Sequence, residues 1–379
     1  MGNPLIELES FGQSIWMDFL RRSAIDSGEL KQLIDQDGVS GVTSNPSIFE
    51  KAIAGSHDYD EAVLTLARQG KSVQEIYEAL TVEDIQRTAD LFRPVYDRLD
   101  GKDGFVSLEV SPTLAGDTAG SIQEAYRLWK KVGRPNLMIK IPATEAGLPA
   151  IRQLIGEGIN VNITLLFGLP SYRQVVDAYL AGLETLAAQG KPLDRSASVA
   201  SFFLSRIDTL ADPILKKIRL DGGPRAELVA GLYGELAIAS AKVAYQIYQE
   251  IFAQDRFKKL AQKGARTQRL LWASTSTKNP EFSDVKYVEP LIGRDTINTL
   301  PLETIHLYRD HGSPALSLED NVEQAYQKLD QLGLAGLDMN FLTKQLEDEG
   351  VEKFEKAFET LMSVLGEKRE AAMKKTVER

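Results

Sequence analysis

Short apolar runs alternate with amphipathic segments along most of this chain. Eight runs have the β-branched and aromatic content of strands, at residues 14–19, 41–45, 105–110, 137–141, 160–167, 197–203, 270–275 and 286–292. Helical periodicity marks the segments between and after them, for example residues 23–36, 73–91, 121–132, 147–157, 172–188, 228–253 and 315–332. This alternation predicts an α/β fold, a (β/α)8 TIM barrel. An open doubly wound sheet is disfavoured, because no glycine-rich turn follows an early strand.

Two connections are longer than the others, and the chain ends in a helical tail. Residues 46–104 and 204–268 follow the second and sixth predicted strands, and each has room for two or three helices. Neither has its own set of strands, so we expect one domain over residues 1–379 with extra helices in these connections. Residues 337–379 are predicted to form a helical segment packed on the barrel's flank, because apolar side chains recur there at helical spacing: Phe354, Phe358, Leu361 and Leu365.

One lysine lies in the middle of a strand that is otherwise apolar. The run from Asn136 to Thr144 reads as a strand buried on both faces, with Lys140 at its centre. A buried ammonium costs on the order of 3 kcal/mol or more unless it is paired or neutral, and a neutral amine attacks carbonyls. The strand alone leaves two interpretations open: a lysine that is paired or reaches the strand end, and a Schiff-base nucleophile.

Composition narrows the chemistry. The chain has no cysteine, which excludes disulfides, thiolate nucleophiles and cysteine-ligated metals. Its three histidines are not spaced for a metal site, so we expect no histidine-rich metal site. The net charge of −10 argues against nucleic acid as a partner. With no apolar run of membrane-spanning length and no signal-peptide start, a cytoplasmic protein that binds small molecules is expected.

Polar residues recur near the carboxyl ends of seven of the eight predicted strands. They are Asp18, Asn45, Glu109, Lys140, Asn162, Thr164, Ser201, Ser274 and Ser276. In a barrel these strand ends converge on the face that carries the active site. An amine, two carboxylates, amides and hydroxyls suit a polyhydroxylated carbonyl substrate. Two alternatives remain: Asp18 could cap the following helix, and Arg206 could form a surface salt bridge with a nearby aspartate.

Several motifs, in order, resemble those of the transaldolase family. They are Gly-Val-Thr-Ser-Asn-Pro-Ser at residues 41–47, Ile-Lys-Ile-Pro-Ala-Thr at 139–144, Gly-Ile-Asn-Val-Asn-Ile-Thr-Leu-Leu-Phe at 158–167, Ser-Phe-Phe-Leu-Ser-Arg-Ile at 201–207, and Trp-Ala-Ser-Thr-Ser-Thr-Lys-Asn-Pro at 272–280. The run Asp-Thr-Ile-Asn-Thr-Leu-Pro at 295–301 is also similar to the family's ending. The resemblance therefore spans most of the chain.

This resemblance implies a catalytic set that needs neither a metal nor an organic cofactor. Lys140 matches the family's Schiff-base lysine on the fourth strand, and Asp18 matches its acid/base aspartate on the first. Glu109 and Thr164 match the pair that holds a proton-shuttling water. The implied reaction belongs to the pentose phosphate pathway. It transfers a dihydroxyacetone unit from sedoheptulose 7-phosphate or fructose 6-phosphate to glyceraldehyde 3-phosphate or erythrose 4-phosphate. We expect the protein to be a monomer or a homodimer.

The resemblance also implies a substrate pocket. The amides that hold the dihydroxyacetone end, and a serine that lines the pocket, match Asn45, Asn162 and Ser201. The phosphate site matches Arg206 and Ser274. Shorter members of the family place an arginine soon after that serine, where this chain offers Ser276 and Lys278, and either could complete the site. Two alternative functions are a lyase similar to fructose 6-phosphate aldolase and a barrel that binds sugar phosphates without catalysis.

Overall fold

Eight parallel strands close into a barrel in a computed structural model of the protein, which describes residues 2–377 and their side chains as far as Lys374. The strands pair in sequence order, and the eighth pairs with the first. They are β1 Gln13–Met17, β2 Val39–Val42, β3 Val106–Glu109, β4 Leu137–Pro142, β5 Val161–Leu166, β6 Ser198–Phe203, β7 Arg269–Ala273 and β8 Thr296–Leu300. The predicted (β/α)8 fold is confirmed.

The eighth predicted strand is wrong. Residues 286–292 form turns and a short 3₁₀ helix at Glu289–Leu291, and the strand that closes the barrel is Thr296–Leu300. The earlier segment is apolar because it packs against the barrel, with Val288 and Leu291 fully buried. Pro290 within it lacks the N–H group that a central strand needs for its ladder.

The observed strand β8 contains polar residues, a pattern that is also typical of loops. Thr296 and Asn298 are fully buried inside the structure. Gln13 Nε2 donates to Thr296 Oγ1 at 3.0 Å, and Asn298 Nδ2 donates to the carbonyl of Tyr287 at 3.1 Å. Because buried polar groups are tolerated when they are hydrogen-bonded, a central strand can carry these side chains without an apolar run.

A tryptophan fills the barrel interior where a neighbouring strand has no side chain. Trp16 of β1 is fully buried, and its Nε1 donates to Asp103 Oδ1 at 2.6 Å. A Cβ atom added to Gly41 of β2 would lie 2.5 Å from the indole ring. Glycine at this position therefore makes room for the ring.

Helices surround the barrel. They are α1 Pro4–Ser10, α2 Arg22–Asp26, α3 Glu29–Asp37, α4 Pro46–Ala54, α5 Asp60–Arg68, α6 Val73–Arg98, α7 Thr118–Val132, α8 Gly147–Glu157, α9 Leu169–Ala188, α10 Ser205–Asp221, α11 Pro224–Leu228, α12 Leu236–Phe252, α13 Asp255–Ala261, α14 Leu302–His311, α15 Val322–Leu334 and α16 Met339–Val377. The predicted helix at 23–36 is two helices, divided at Gly28, whose φ is +81°. None of the helices within residues 2–377 combines the length and apolarity needed to cross a membrane.

The two long connections carry the extra helices. The second holds α4, α5 and α6, as predicted, whereas the sixth holds α10 to α13, more than the two or three expected. In the sixth, α12 begins later than the predicted residue 228. Two carboxylates of α10 accept hydrogen bonds from backbone amides at the amino end of α12. Asp212 accepts from Gly234, and Asp208 accepts from Ala237. These bonds satisfy amides that would otherwise lack partners.

The tail forms one long helix, α16. It packs on α4, α5 and α6 through buried side chains that include Leu361 and Leu365, and Phe358 meets the ring of Tyr77 edge-on at 5.3 Å. It also reaches the carboxyl end of β5, where a Cβ atom on Gly350 would lie 2.9 Å from Leu165 Cδ2. The tail therefore does more than cover the barrel's flank.

Candidate active site

A cavity of about 590 Å³ opens at the carboxyl ends of the strands. Nine of the residues singled out in the sequence line it: Asp18, Asn45, Lys140, Thr164, Ser201, Arg206, Ser274, Ser276 and Lys278. Glu109 and Asn162 lie just behind its wall, in contact with Lys140 and Ser201 respectively. The fold thus brings together the residues that strand position indicated.

The lysine amine lies at the floor of this cavity. Lys140 is 3% exposed, and its Nζ donates to the carbonyl of Ser44 at 2.9 Å and lies 3.2 Å from Glu109 Oε2. The barrel register places Glu109 of β3 and Asn162 of β5 directly beside it. A single amine held between polar strand ends is positioned for a carbonyl carbon that enters from the cavity.

Two carboxyl groups flank this amine, and each is biased toward its neutral form. Burial raises the pKa of Asp18, although the charge of Lys140 opposes the shift. Burial likewise raises the pKa of Glu109, with Lys140 opposing and the charge of Asp18 adding to it. Asp18 Oδ1 accepts a hydrogen bond from Thr43 Oγ1 at 2.9 Å, and the following helix α2 has no side-chain cap. Each group therefore holds a proton more readily than an exposed carboxyl does, as suits a group that exchanges protons with a substrate.

Thr164 presents a polar atom without a protein partner. Its Oγ1 is buried at the cavity and has no hydrogen-bond partner in the described part of the chain. Glu109 Oε2 is also buried and has Lys140 Nζ as its close polar contact. Since buried polar atoms normally have a partner, both atoms are available to a substrate hydroxyl or a water molecule.

The two asparagines have different surroundings. Asn162 is fully buried, donates through Nδ2 to Ser107 Oγ at 3.0 Å and accepts from Ser201 Oγ at 2.7 Å. Asn45 lines the cavity and caps α4, its Oδ1 accepting from the amide of Ile48 at 3.0 Å. The cap uses the oxygen and leaves the amide nitrogen of Asn45 for a ligand hydroxyl.

An arginine occupies one wall of the cavity. The guanidinium carbon of Arg206 lies 5.2 Å from the ring centre of Phe203 and 5.9 Å from that of Phe354. Its Nη1 is buried and has no hydrogen-bond partner among residues 2–377. The salt bridge considered from the sequence is absent from this described region, because Asp208 and Asp212 accept from backbone amides of the α12 region instead. Burial also lowers the pKa of Arg206.

Further polar groups lie near this arginine. Ser274 follows β7 with a φ of +55°, and its Oγ is 2.9 Å from Ser205 Oγ at the start of α10. Lys278 Nζ donates to Ser276 Oγ, so the two candidates for completing the site are joined. Burial lowers the pKa of Lys278, and the charge of Arg206 lowers it further. Arg206 and Lys278 thus line the same cavity and are close enough for their charges to interact.

Sequence reasoning missed two cations of this cavity: Arg21, which pairs with Asp58 at 2.9 Å, and Lys51. Lys51 of α4 lines it and forms no ion pair within the structurally described chain, and its charge also contributes to the lowered pKa of Lys278. A signal was available in helical spacing, because Ser47 and Lys51 lie four residues apart on the helix that begins after Asn45.

Known proteins are similar to this chain over almost its whole length. The family model described as Transaldolase/Fructose-6-phosphate aldolase matches residues 15–365. A protein named transaldolase from Trichodesmium erythraeum is 50% identical over 372 residues, which cover 97% of each chain. Transaldolase 2 from a Nostoc species and a transaldolase from Saccharopolyspora erythraea are each 48% identical, over 377 and 366 residues, covering 96% of this chain and 97% of theirs. Because the family match runs from the first strand into the last helix, this chain belongs to the transaldolase/fructose-6-phosphate aldolase family.

Proposed function

We propose that this protein is a transaldolase, which transfers a dihydroxyacetone unit from a ketose phosphate to an aldose phosphate through a Schiff base on Lys140. The observation that carries the proposal is the Lys140 amine at the cavity floor, 3.2 Å from Glu109 and within reach of the charge of Asp18. Relatives at close to half identity over nearly full length carry the name transaldolase. Sedoheptulose 7-phosphate and fructose 6-phosphate are the expected donors.

The first half of the reaction consumes the donor. The neutral amine of Lys140 adds to the ketone carbon, and loss of water forms a C=N bond whose nitrogen is positively charged. Asp18 takes the proton of the hydroxyl on the second carbon beyond the ketone. The bond between that carbon and the carbon attached to the iminium carbon then breaks. Its electron pair moves toward the iminium nitrogen and gives an enamine, and the aldose phosphate leaves as an aldehyde.

The second half reverses these steps with a different aldehyde. The enamine carbon attacks the acceptor's carbonyl carbon, Asp18 returns its proton to the new alkoxide, and water hydrolyses the iminium to free Lys140. A water molecule held by Glu109 and Thr164 would move the protons of imine formation and hydrolysis, which fits the unpartnered Oγ1 of Thr164 and the Glu109 carboxyl 3.2 Å from the Lys140 amine. The amide nitrogen of Asn45 holds a hydroxyl of the bound three-carbon unit, whereas Asn162 lies behind the cavity wall and acts through Ser201, from whose Oγ it accepts a hydrogen bond.

We place the substrate phosphate at Arg206. The guanidinium has an unpartnered nitrogen, and Ser274, Lys278 and Lys51 line the same cavity. A chain of net charge −10 needs such a local group of cations to attract a phosphate dianion. Arginine also matches the geometry of phosphate oxygens through its fixed fork of donors.

A two-substrate assay tests this proposal. With fructose 6-phosphate as donor and erythrose 4-phosphate as acceptor, we expect sedoheptulose 7-phosphate to form much faster than free dihydroxyacetone. Release of dihydroxyacetone at an equal rate without acceptor would favour a lyase, the other activity named in the family description. No turnover with any donor would favour a binding barrel. The single domain, the cytoplasmic location and the monomeric or homodimeric state stay predictions from the sequence.

A further inference from the structure

The last helix contributes a wall of the catalytic cavity. Phe354 of α16 is 2% exposed and lines the cavity at the side where Arg206 lies. One helical turn earlier, Gly350 brings the helix backbone close to β5, since a Cβ atom there would be 2.9 Å from Leu165 Cδ2 and 3.7 Å from Arg206 Nη1. The missing side chain lets α16 approach the strand ends closely enough for Phe354 to reach the arginine.

Arg206 is held by aromatic rings instead of by carboxylates. Its guanidinium lies over the rings of Phe203 and Phe354, at 5.2 Å and 5.9 Å between Cζ and the ring centres. In residues 2–377 it forms no ion pair, although Glu349 on α16 is near enough for its charge to act on the guanidinium. Ring faces attract a cation without occupying its N–H groups, so the donors stay available for another anion.

We infer that Phe354 is a positioning residue for phosphate recognition, which fixes the guanidinium of Arg206 so that its free N–H groups face the cavity. The inference rests on the proposed function for the identity of the ligand as a sugar phosphate. An arginine side chain has many rotamers, and it must be restricted to one of them to bind an anion with fixed geometry. Phe354 supplies that restriction from the far end of the chain, and the helical tail becomes part of the substrate site.

Removal of the Phe354 ring is the direct test. Phe354→Ala should weaken the binding of inorganic phosphate and fructose 6-phosphate, measured by calorimetry, by roughly threefold to thirtyfold, the range of a cation–π contact that is exposed to partly desolvated. The rate with the unphosphorylated donor fructose should fall less than the rate with fructose 6-phosphate, because Arg206 has no role for fructose. Phe354→Tyr keeps the ring face and should restore phosphate affinity.

The chain offers a matched control on the same helix. Phe358 lies one turn after Phe354, is also buried, and packs on Tyr77 away from the cavity. Phe358→Ala should lower the melting temperature as Phe354→Ala does, yet leave phosphate affinity unchanged. If Phe354→Ala fails to fold, Phe354→Leu fills the space without a ring face, and the same loss of phosphate affinity is expected.

Several results would overturn the inference. Unchanged phosphate affinity in both Phe354 variants without a ring, equal losses for phosphorylated and unphosphorylated donors, or an equal loss of phosphate affinity in Phe358→Ala would each assign Phe354 to packing alone. A wild-type protein that does not bind phosphate would also overturn it. The proposed function fails separately: phosphate binding that depends on Phe354 in a protein without transfer activity would refute the transaldolase proposal and support the inference.

Discussion

Replacement of Arg206 by alanine separates phosphate recognition from the chemistry at Lys140. Arg206 is half-buried at the cavity wall, its Nη1 has no partner in the described chain, and a sugar phosphate carries a charge of about −1.5 to −2 at pH 7. A hydrogen bond to a charged group contributes roughly 1.5–3 kcal/mol, which corresponds to about tenfold to a hundredfold in binding. Because the side chain of Arg206 is partly exposed to solvent, we expect the lower part of this range, a KM for fructose 6-phosphate raised about tenfold to fiftyfold.

Steady-state kinetics with two donors checks this expectation. The KM for fructose 6-phosphate should rise in Arg206→Ala while kcat/KM for fructose changes by less than about twofold. Arg195→Ala is the matched control, since it removes the same charge from an exposed arginine that pairs with Asp100. Equal losses for both donors, or an equal effect of Arg195→Ala, would refute the reasoning and assign Arg206 to structure or to the general field.

Three further substitutions test individual roles. Asp18→Asn should slow carbon–carbon cleavage and let the iminium accumulate. It should also remove the acid limb of the pH–rate profile, which in the wild type lies above the range of an exposed aspartate because burial raises the pKa of Asp18. Unchanged turnover would contradict this. Glu109→Gln should lower the rate of transfer to the acceptor relative to the rate at which free dihydroxyacetone is released. An unaltered ratio of the two products would show that Glu109 does not control this ratio. Lys278→Ala should raise the KM for phosphorylated donors less than Arg206→Ala does, because Lys278 is more exposed than Arg206 and offers only a point charge. A larger effect of Lys278→Ala would reverse the two roles.

The fold was predictable where burial and periodicity agree. The first seven strands are apolar runs, and the alternation with helices sufficed for the barrel. The eighth strand was misplaced because Thr296 and Asn298 are buried through hydrogen bonds to groups distant in sequence, such as Gln13. Local polarity cannot reveal such partners, and the apolar run before the strand buries its side chains without joining the sheet.

The site was predictable where strand position decides it. Lys140 and Asp18 follow from their places in β4 and at the end of β1. Lys51 and Phe354 were missed as site residues because they lie on helices, where a lysine usually faces solvent and a phenylalanine usually packs. Their places in the cavity wall depend on how α4 and α16 pack at the barrel's rim, which the local pattern of one sequence does not encode.

Borohydride trapping tests the central claim most directly. The protein is incubated with fructose 6-phosphate and sodium borohydride, which reduces an iminium to a stable amine, and the modified peptide is identified by mass spectrometry. We predict added mass on Lys140, and no added mass and no turnover in Lys140→Met with its circular dichroism unchanged. An unmodified Lys140 in the active wild-type protein, or added mass on Lys51 or Lys278 of the same cavity instead, would contradict the account.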